Sequence, residues 1–160
     1  MLTAFIRFLM LLYRIGPTLY ADNLNGEGPR IHGGRWNHIG TPCIYTSATR
    51  SLSLLEYSCH ASLHLVPRAL SFITYKVPDH SILSLELAAL PGDWKKEPHP
   101  VSGRDIGTKY LQENKTLLIR IPSVVIEEEY NYIINPLHPD MNKVSILDIK
   151  DYSFDLRVKK

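Results

Sequence analysis

Apolar residues recur along the chain in short runs that are bounded by proline, glycine or polar residues. Runs of this length that are rich in β-branched and aromatic residues favour strands over helices. They predict strands at Leu11–Ile15, Cys43–Thr46, Leu70–Val77, Leu117–Ile121, Val124–Ile126, Tyr130–Ile134, Val144–Ile149 and Tyr152–Val158. Ser81 to Leu87 is predicted to be a further strand or the start of a short helical turn.

One stretch follows a helical period instead. A helix is predicted from about Arg50 to His64, ending near Leu65, and either Ser47 or Thr49 is suited to cap it. At about 100° per residue, one face of this helix is apolar and is expected to be buried. That face carries Leu52, Leu55, Cys59 and Leu63, whereas Tyr57, Ser58 and Ala61 lie elsewhere on the helix.

A second helix is predicted from Ser102, as its N-cap, to Asn114, with Ile106, Tyr110 and Leu111 on one face. Four segments are expected to be irregular: the glycine- and asparagine-rich loop Tyr20–Ile31, the turn Leu90–Trp94, the stretch Pro98–Pro100 and the solvated turn Glu127–Glu129. Many short strands with a few helices predict an α+β fold, a single compact domain of mostly antiparallel strands over residues 1–160.

Composition and charge narrow the class of protein. Charged residues are 21% of the 160, hydrophobic residues are 44%, and the formal net charge is +2, which makes no strong electrostatic case for nucleic acid. Cys43 and Cys59 form no CxxC and are expected to be reduced, which indicates a cytoplasmic protein. The apolar stretch Phe5–Tyr13 contains Arg7 and is far shorter than the roughly 20 residues of a membrane span, so no membrane segment is expected.

Glu56 is the residue that most suggests chemistry. It falls inside the apolar face of the first helix, next to Leu52 and Leu63. A charge at such a position costs free energy unless it is paired or functional. A salt bridge to a nearby arginine is the structural alternative to a catalytic carboxylate.

The segment before that helix has features of a ligand-binding loop. Neither Gly33 nor Gly34 has a Cβ, so the backbone there can approach a ligand closely. Arg35 carries a guanidinium suited to bidentate contact with phosphate, or to a structural salt bridge, for which Glu56 is one candidate partner. Tyr45 has an aromatic face that could stack on a cationic ring, and its alternative role is a core tyrosine.

GGRWN at 33–37, IYTS at 44–47 and SLSLLE at 51–56 together resemble the RES domain, the toxin half of RES–Xre toxin–antitoxin pairs. YRIG at 13–16, IPS at 121–123 and NPLHPD at 135–140 extend the resemblance over about residues 11–150. It implies a fold similar to ADP-ribosyltransferases and a site that binds NAD as substrate. The similar pattern begins at Met10, so residues 1–9 are interpreted as an N-terminal extension.

The resemblance also assigns roles to residues. Arg35, Tyr45 and Glu56 match the catalytic positions, and Arg14 and Ser123 match further positions in the NAD pocket. Gly34, Trp36, Asn37 and Asn135 complete the expected substrate-binding set. Trp36 and Asn37 are more often scaffold residues, and Asn135 before Pro136 is a turn residue in its alternative role.

The function expected from the resemblance is a bacterial toxin that depletes NAD by phosphorolysis or hydrolysis of its nicotinamide–ribose bond. ADP-ribosylation of a cellular protein is the first alternative, and the residues do not separate these reactions because the acceptor is chosen by pocket shape. The expected partners are an Xre-like antitoxin that covers the site, phosphate as a second substrate, and a second copy of the chain within the toxin–antitoxin complex. Nucleic acid would be reached through the antitoxin alone.

Other kinds of site find little support in the sequence. His60 and His64 have a spacing that zinc ligands use, but no HExxH and no third ligand accompany them, so no metal is expected. Ser123 lacks a GxSxG context, and the glycines of residues 26–34 fit neither a Walker A loop nor a dinucleotide-binding GxGxxG. A nucleic-acid-binding or RNA-acting module is the most distant alternative.

Overall fold

The computed structural model describes residues 9–62 and 69–158 of the chain. These residues contain seven strands: β1 Leu9–Pro17, β2 Ile44–Ser47, β3 Leu70–Pro78, β4 Ile82–Ser84, β5 Leu118–Pro122, β6 Tyr130–Ile134 and β7 Ser145–Tyr152. They also contain three α-helices: α1 Glu27–His32, α2 Arg50–His60 and α3 Val101–Glu113. Short 3-10 turns lie at Thr18–Tyr20, Leu87–Ala89 and Pro139–Lys143. Within the described ranges, no helix has the length and apolar content needed to cross a bilayer.

The seven strands form one sheet in the order β4-β5-β6-β2-β1-β3-β7. The β4–β5 pair is parallel and every other neighbouring pair is antiparallel. Strand β1 pairs with β3 along its whole length, from Leu9 opposite Pro78 to Pro17 opposite Leu70, but joins β2 at Tyr13 opposite Ser47. The predicted α+β fold of mostly antiparallel strands is therefore confirmed.

Two apolar clusters hold the sheet. The first gathers buried residues of β1, β3, β5 and β6, including Leu12, Ile73, Tyr75 and Ile134. The second surrounds Trp36 and Trp94, whose ring centroids are 6.4 Å apart, and includes Leu111 of α3. Trp36 thus makes the segment 33–37 contribute one residue to the second core cluster.

Helix α3 packs closely against that segment because two of its residues lack side chains. A Cβ at Gly107 would lie 1.9 Å from the carbonyl oxygen of Trp36, and a Cβ at Gly103 would lie 3.0 Å from the carbonyl oxygen of Arg35. Any larger residue at 107 would push the helix away from the Trp36 backbone. The two glycines therefore set the position of the Arg35–Trp36 backbone.

Two of the predicted strands are wrong. Residues 124–126 form a turn, because the hydroxyl of Ser123 accepts hydrogen bonds from the backbone N–H groups of Val125 and Ile126. The predicted strand Tyr152–Val158 is absent from the described residues, because the first residue of β3, Leu70, already pairs with Tyr152. One strand, β7, therefore replaces the two predicted at the end of the chain.

The helices also depart from the prediction. Residues 27–32, expected to be part of a loop, form α1, a helix of six residues. Helix α2 is capped by Thr49, whose hydroxyl accepts from the N–H of Leu52, but it ends at His60. Leu63 and His64, predicted to be helical, lie outside the described residues.

The buried face of α2 is rotated relative to the predicted one. Leu52, Ser53 and Ser58 are buried, whereas Cys59, predicted to be buried, is exposed. Ser102 does not cap α3. The cap residue is Pro100, and the Ser102 hydroxyl donates to the Asp93 carboxylate at 2.6 Å. The Ser58 hydroxyl donates to the carbonyl oxygen of Leu54 within α2 at 2.6 Å, whereas Ser102 has its partner outside α3. A helical wheel shows neither contact.

Candidate active site

A cleft of about 420 Å³ opens where β1 and β2 meet. Arg14 and Ile15 of β1 and Tyr45 and Thr46 of β2, which lie next to the Tyr13–Ser47 pair, all line it. Its volume lies within the range of small-molecule binding pockets. Six of the residues predicted from the sequence line the cleft: Arg14, Gly34, Arg35, Trp36, Tyr45 and Glu56.

The Glu56 carboxylate enters the cleft from α2, and 19% of its side chain is exposed. Its Oε1 atom accepts hydrogen bonds from the hydroxyl of Ser123 at 2.7 Å and from the Nδ2 atom of Asn131 at 2.5 Å. Its Oε2 atom lies 4.0 Å from Nε2 of His60, beyond hydrogen-bonding distance. Across the described ranges, the hydrogen-bond donors on this carboxylate are therefore neutral side chains, and no arginine pairs with it.

Ser123 is fully buried, and its hydroxyl has a second role besides the bond to Glu56. It accepts two backbone N–H bonds from the turn that follows β5, which leaves its proton directed at Glu56. The serine is absent from the residues that line the cleft, although it was predicted to bind substrate. The structure places it behind the carboxylate.

Arg35 enters the cleft wall from the turn at residues 34–37 and is buried. Its Nη1 atom donates to the carbonyl oxygens of Trp94 at 2.8 Å and Lys96 at 3.1 Å. Its Nη2 atom forms an ion pair with Glu97, whose side chain is 60% exposed. Arg35 therefore ties the irregular segment 94–97 to the cleft, and the salt bridge suggested for it involves Glu97 and not Glu56.

Tyr45, which is half-buried, and Asn37, which is buried, form a second hydrogen-bonded group. The Tyr45 hydroxyl donates to Oδ1 of Asn37 at 2.7 Å and accepts from the backbone N–H of Trp36 at 3.0 Å. Burial raises the pKa of this hydroxyl well above its usual value, so it stays protonated and remains a donor. A Cβ at Gly34 would lie 2.7 Å from the same oxygen, which is why glycine is needed there.

Asn37 and Asn135 have polar groups that are occupied by the protein itself. The Nδ2 atom of Asn37 donates to three backbone carbonyl oxygens, those of Pro29, His38 and Thr41. Asn135 donates to the carbonyl oxygen of Leu111 at 2.9 Å and accepts from the N–H of Leu137. Neither residue lines this cleft; Asn37 fixes the backbone at Pro29, which does line it, whereas the partners of Asn135 lie outside the cleft lining.

Two histidines stand at the cleft wall near Glu56. The rings of His60 and His99 are 5.5 Å apart in an edge-on arrangement. Burial, and then the positive charge of Arg35, lower the pKa of His99 below its usual value. No group of three potential metal ligands occurs in residues 9–62 and 69–158, and His64 lies outside them.

Sequence reasoning missed several residues of the site. Asn131 donates to Glu56, and Ser47 donates to Asn131. Three further residues that line the cleft are Tyr57, His60 and His99. One signal was present for Asn131: it is a polar residue in an apolar strand and lies on the same side as Ile133, which also lines the cleft. The histidines gave no comparable signal, because the approach of residue 99 to α2 depends on tertiary structure.

Comparison with known proteins adds independent information. A sequence model described as RES domain matches residues 11–157. The chain is 34% identical over 144 residues to the Prs ADP-ribosylating toxin of Sphingobium sp. (strain YBL2), covering 88% of this chain and 89% of that protein. It is 32% identical over 152 residues to Toxin Res of Yersinia enterocolitica, covering 94% of this chain and all of the relative.

One solved structure supports the fold. The chain is similar to a chain in the crystal structure of the M. tuberculosis MbcT–MbcA toxin–antitoxin complex, with a TM-score of 0.75. The match covers 92% of this chain and 86% of the other, at 18% sequence identity. At that identity the likeness concerns the arrangement of the strands and helices, and it agrees with the compact α+β domain described above.

Proposed function

The chain belongs to the RES domain family, and on that premise we propose that it is a toxin of a bacterial toxin–antitoxin pair that cleaves the nicotinamide–ribose bond of NAD. The curated relatives are named as toxins, one of them as an ADP-ribosylating toxin. ADP-ribosylation uses the same bond of NAD, so the relative's name favours this class of substrate. The proposed substrate site is the cleft between β1 and β2.

The arrangement of Glu56 carries this proposal. Glu56 lines the cleft, and one of its carboxylate oxygens is held by Ser123 and Asn131, while the other, Oε2, makes no hydrogen bond to His60. Because both donors are neutral, neither of them offsets the negative charge of the carboxylate. A fixed anion with one available oxygen suits a substrate that becomes more positive as it reacts.

NAD is such a substrate. Its nicotinamide ring already carries a positive charge, so it leaves as a neutral molecule and needs no general acid. The ribose passes through an oxocarbenium-like transition state, of the kind that glycosidases stabilise with carboxylates. We assign to Oε2 of Glu56 the role of accepting a hydrogen bond from the ribose hydroxyl beside the reacting carbon and stabilising the developing charge.

The other cleft residues take supporting roles in this proposal. Arg14 lines the cleft, and a guanidinium group is suited to the pyrophosphate of NAD. The Tyr45 hydroxyl is occupied by Asn37 and Trp36, which leaves its ring for contact with nicotinamide. Arg35 is bound to the segment 94–97, so its direct contact with substrate would require Glu97 to leave.

Transfer of ADP-ribose to a protein is the second candidate, and the name of the Sphingobium relative favours it. The two candidates share the bond that breaks and differ in the acceptor, which is phosphate or water in one case and a protein side chain in the other. We also propose an antitoxin partner that covers the cleft, because the structural neighbour was crystallised as a toxin–antitoxin complex. An Xre-like partner, phosphate as a second substrate and a toxin dimer in that complex remain parts of this proposal.

The test is nicotinamide release from NAD by the purified protein, freed of any partner, with and without inorganic phosphate. Release that increases with phosphate and yields a phosphorylated ADP-ribose supports phosphorolysis, and release that ignores phosphate supports hydrolysis. Release that requires added cell protein, with ADP-ribose bound to that protein, supports the second candidate. No release in any of these conditions would refute NAD cleavage.

A further inference from the structure

Strand β6 brings Asn131 to the Glu56 carboxylate. In the sheet, β6 lies between β5 and β2, and Asn131 is opposite Ile121 on one side and Ser47 on the other. Its side chain lines the cleft on the same wall as Ile133. The neighbouring strands therefore fix the backbone of Asn131 from both sides.

The amide of Asn131 is also fixed at both ends. The Ser47 hydroxyl is buried and lies 2.6 Å from Oδ1 of Asn131, to which it donates. The Nδ2 atom of Asn131 donates to Oε1 of Glu56 at 2.5 Å. Because an ionised carboxylate can only accept, the amide nitrogen must face Glu56, and the Ser47 hydroxyl agrees with that orientation.

Asn131 and Ser123 donate to the same carboxylate oxygen from two different elements. Two donors on Oε1 restrict rotation of the carboxylate, so Oε2 stays on the side away from Ser123 and Asn131. Replacing Asn131 by a cation would also hold the carboxylate, but it would cancel the charge that the proposed reaction needs. A neutral amide orients the carboxylate without that cost.

We infer that Asn131 is a positioning residue for Glu56, and that Ser47 acts through it by fixing the direction of its amide. The inference rests on the proposed function, since it assigns Oε2 to the substrate side. It adds a strand residue outside the GGRWN, IYTS and SLSLLE segments to the machinery of the site, and it makes Ser47 a part of that machinery through Asn131.

The first test compares Asn131→Asp and Asn131→Ala with Asn142→Asp, a matched change at an exposed asparagine. Aspartate has the shape of asparagine but no N–H donor, so it leaves Oε1 without one partner and places a second oxygen beside it. We expect kcat for nicotinamide release to fall about 10- to 100-fold in both Asn131 variants, because small displacements of a reacting group reduce rates by this order. The KM for NAD should change less than about threefold, and Asn142→Asp should behave as wild type.

The second test is a double-mutant cycle on kcat. If each residue had a purely structural effect, the two losses in kcat would be independent and would multiply. Ser47→Ala alone should lower kcat by about three- to tenfold. The double variant Ser47→Ala/Asn131→Ala should be no slower than Asn131→Ala alone, because Ser47 has nothing left to orient. Multiplying losses, or an unchanged kcat in Asn131→Asp, would overturn the inference.

A third measurement needs no substrate. In ¹⁵N-labelled protein, Glu56→Gln should shift the side-chain amide resonances of Asn131 and leave those of Asn142 in place, since a neutral amide oxygen replaces the charged acceptor of Nδ2. If wild-type protein releases no nicotinamide, the proposed function fails, and this spectrum still decides the inferred contact. Unmoved Asn131 resonances would refute the contact even in an enzyme that cleaves NAD.

Discussion

Glu56 and Arg35, the two charged residues that the sequence predicts to be catalytic, line the same cleft but are held in different ways. Glu56 is held by neutral side chains, one from β6 and one from the turn after β5, and it has no ion-pair partner closer than 4.0 Å among the described residues. Arg35 is held by two backbone carbonyl oxygens and an exposed carboxylate, all from the segment 94–97. The charge of Glu56 is available to a ligand, whereas the hydrogen-bond donors of Arg35 are largely occupied by groups of the protein.

Two charged residues that line the same cleft can therefore have different roles. A buried cation whose donors are satisfied by backbone carbonyls stabilises the loop that supplies those carbonyls. An anion that is oriented by neutral donors is prepared for a ligand. We therefore expect changes at Glu56 to affect the reaction, and changes at Arg35 to affect stability as well.

The largest expected effect is that of Glu56→Gln on NAD cleavage. Glutamine keeps the shape and can still accept from Ser123 and Asn131, but it removes the negative charge. The rate of nicotinamide release should fall by about 100- to 1000-fold, the range seen when a stabilising group for transition-state charge is lost. The melting temperature should change little. The exposed Glu128→Gln is the matched control, and full turnover in Glu56→Gln would disprove the assigned role.

Arg35→Ala should have the next largest effect, and that effect should include stability. It leaves the carbonyl oxygens of Trp94 and Lys96 without their donor, which should cost about 2–3 kcal/mol in the free energy of unfolding. Chemical denaturation measures it. Wild-type stability in Arg35→Ala would show that the segment 94–97 is held by other contacts.

Glu97→Gln is the companion change, and it should have a smaller effect. It removes an ion pair whose carboxylate is 60% exposed, and such pairs contribute under about 1 kcal/mol. The same denaturation measurement applies. If Glu97→Gln destabilised the protein as much as Arg35→Ala, the ion pair and not the backbone contacts would be the main link between Arg35 and the loop.

The smallest effect concerns pH. Burial and the charge of Arg35 lower the pKa of His99 in the folded protein from its ordinary value of 6.5. Near pH 6.5 the unfolded chain therefore binds more protons than the folded protein does. Stability should therefore fall as the pH drops from about 7 through the unfolded histidine pKa and towards the lower folded value. His99→Gln should reduce this dependence, as followed by thermal unfolding at several pH values. An unchanged pH dependence would assign the effect to other groups.

The sequence predicted most of the strands because their apolar runs match the positions that pack in the two core clusters. Val124–Ile126 has the same composition but forms a turn, since its N–H groups bond to the buried Ser123 hydroxyl. Composition cannot show that a side chain from a neighbouring position has taken the backbone donors. Helix α1 was missed because it has only six residues, with Gly28 and Pro29 among them.

For the site, the sequence placed Glu56, Tyr45 and Arg35 in one region, and all three line the cleft. It could not find Asn131, because the contact joins positions 75 residues apart. It also could not identify Glu97 as the partner of Arg35, which is 62 residues away. Long-range pairing of this kind depends on the order of the strands and the path of the loops, and local sequence patterns predict neither of them.

The place of β6 in the sheet has a consequence for how the protein is made. Strands β4 and β5 join β2 through β6, although β6 is synthesised after all of them. A growing chain that has passed residue 113 contains Arg35, Tyr45, Glu56 and α3, but it lacks Ser123 and Asn131. Ser123 is synthesised first, and until β6 has been added the Glu56 carboxylate still lacks its Asn131 donor. The proposed toxic activity would thus reach its full rate only after β6 has joined the sheet.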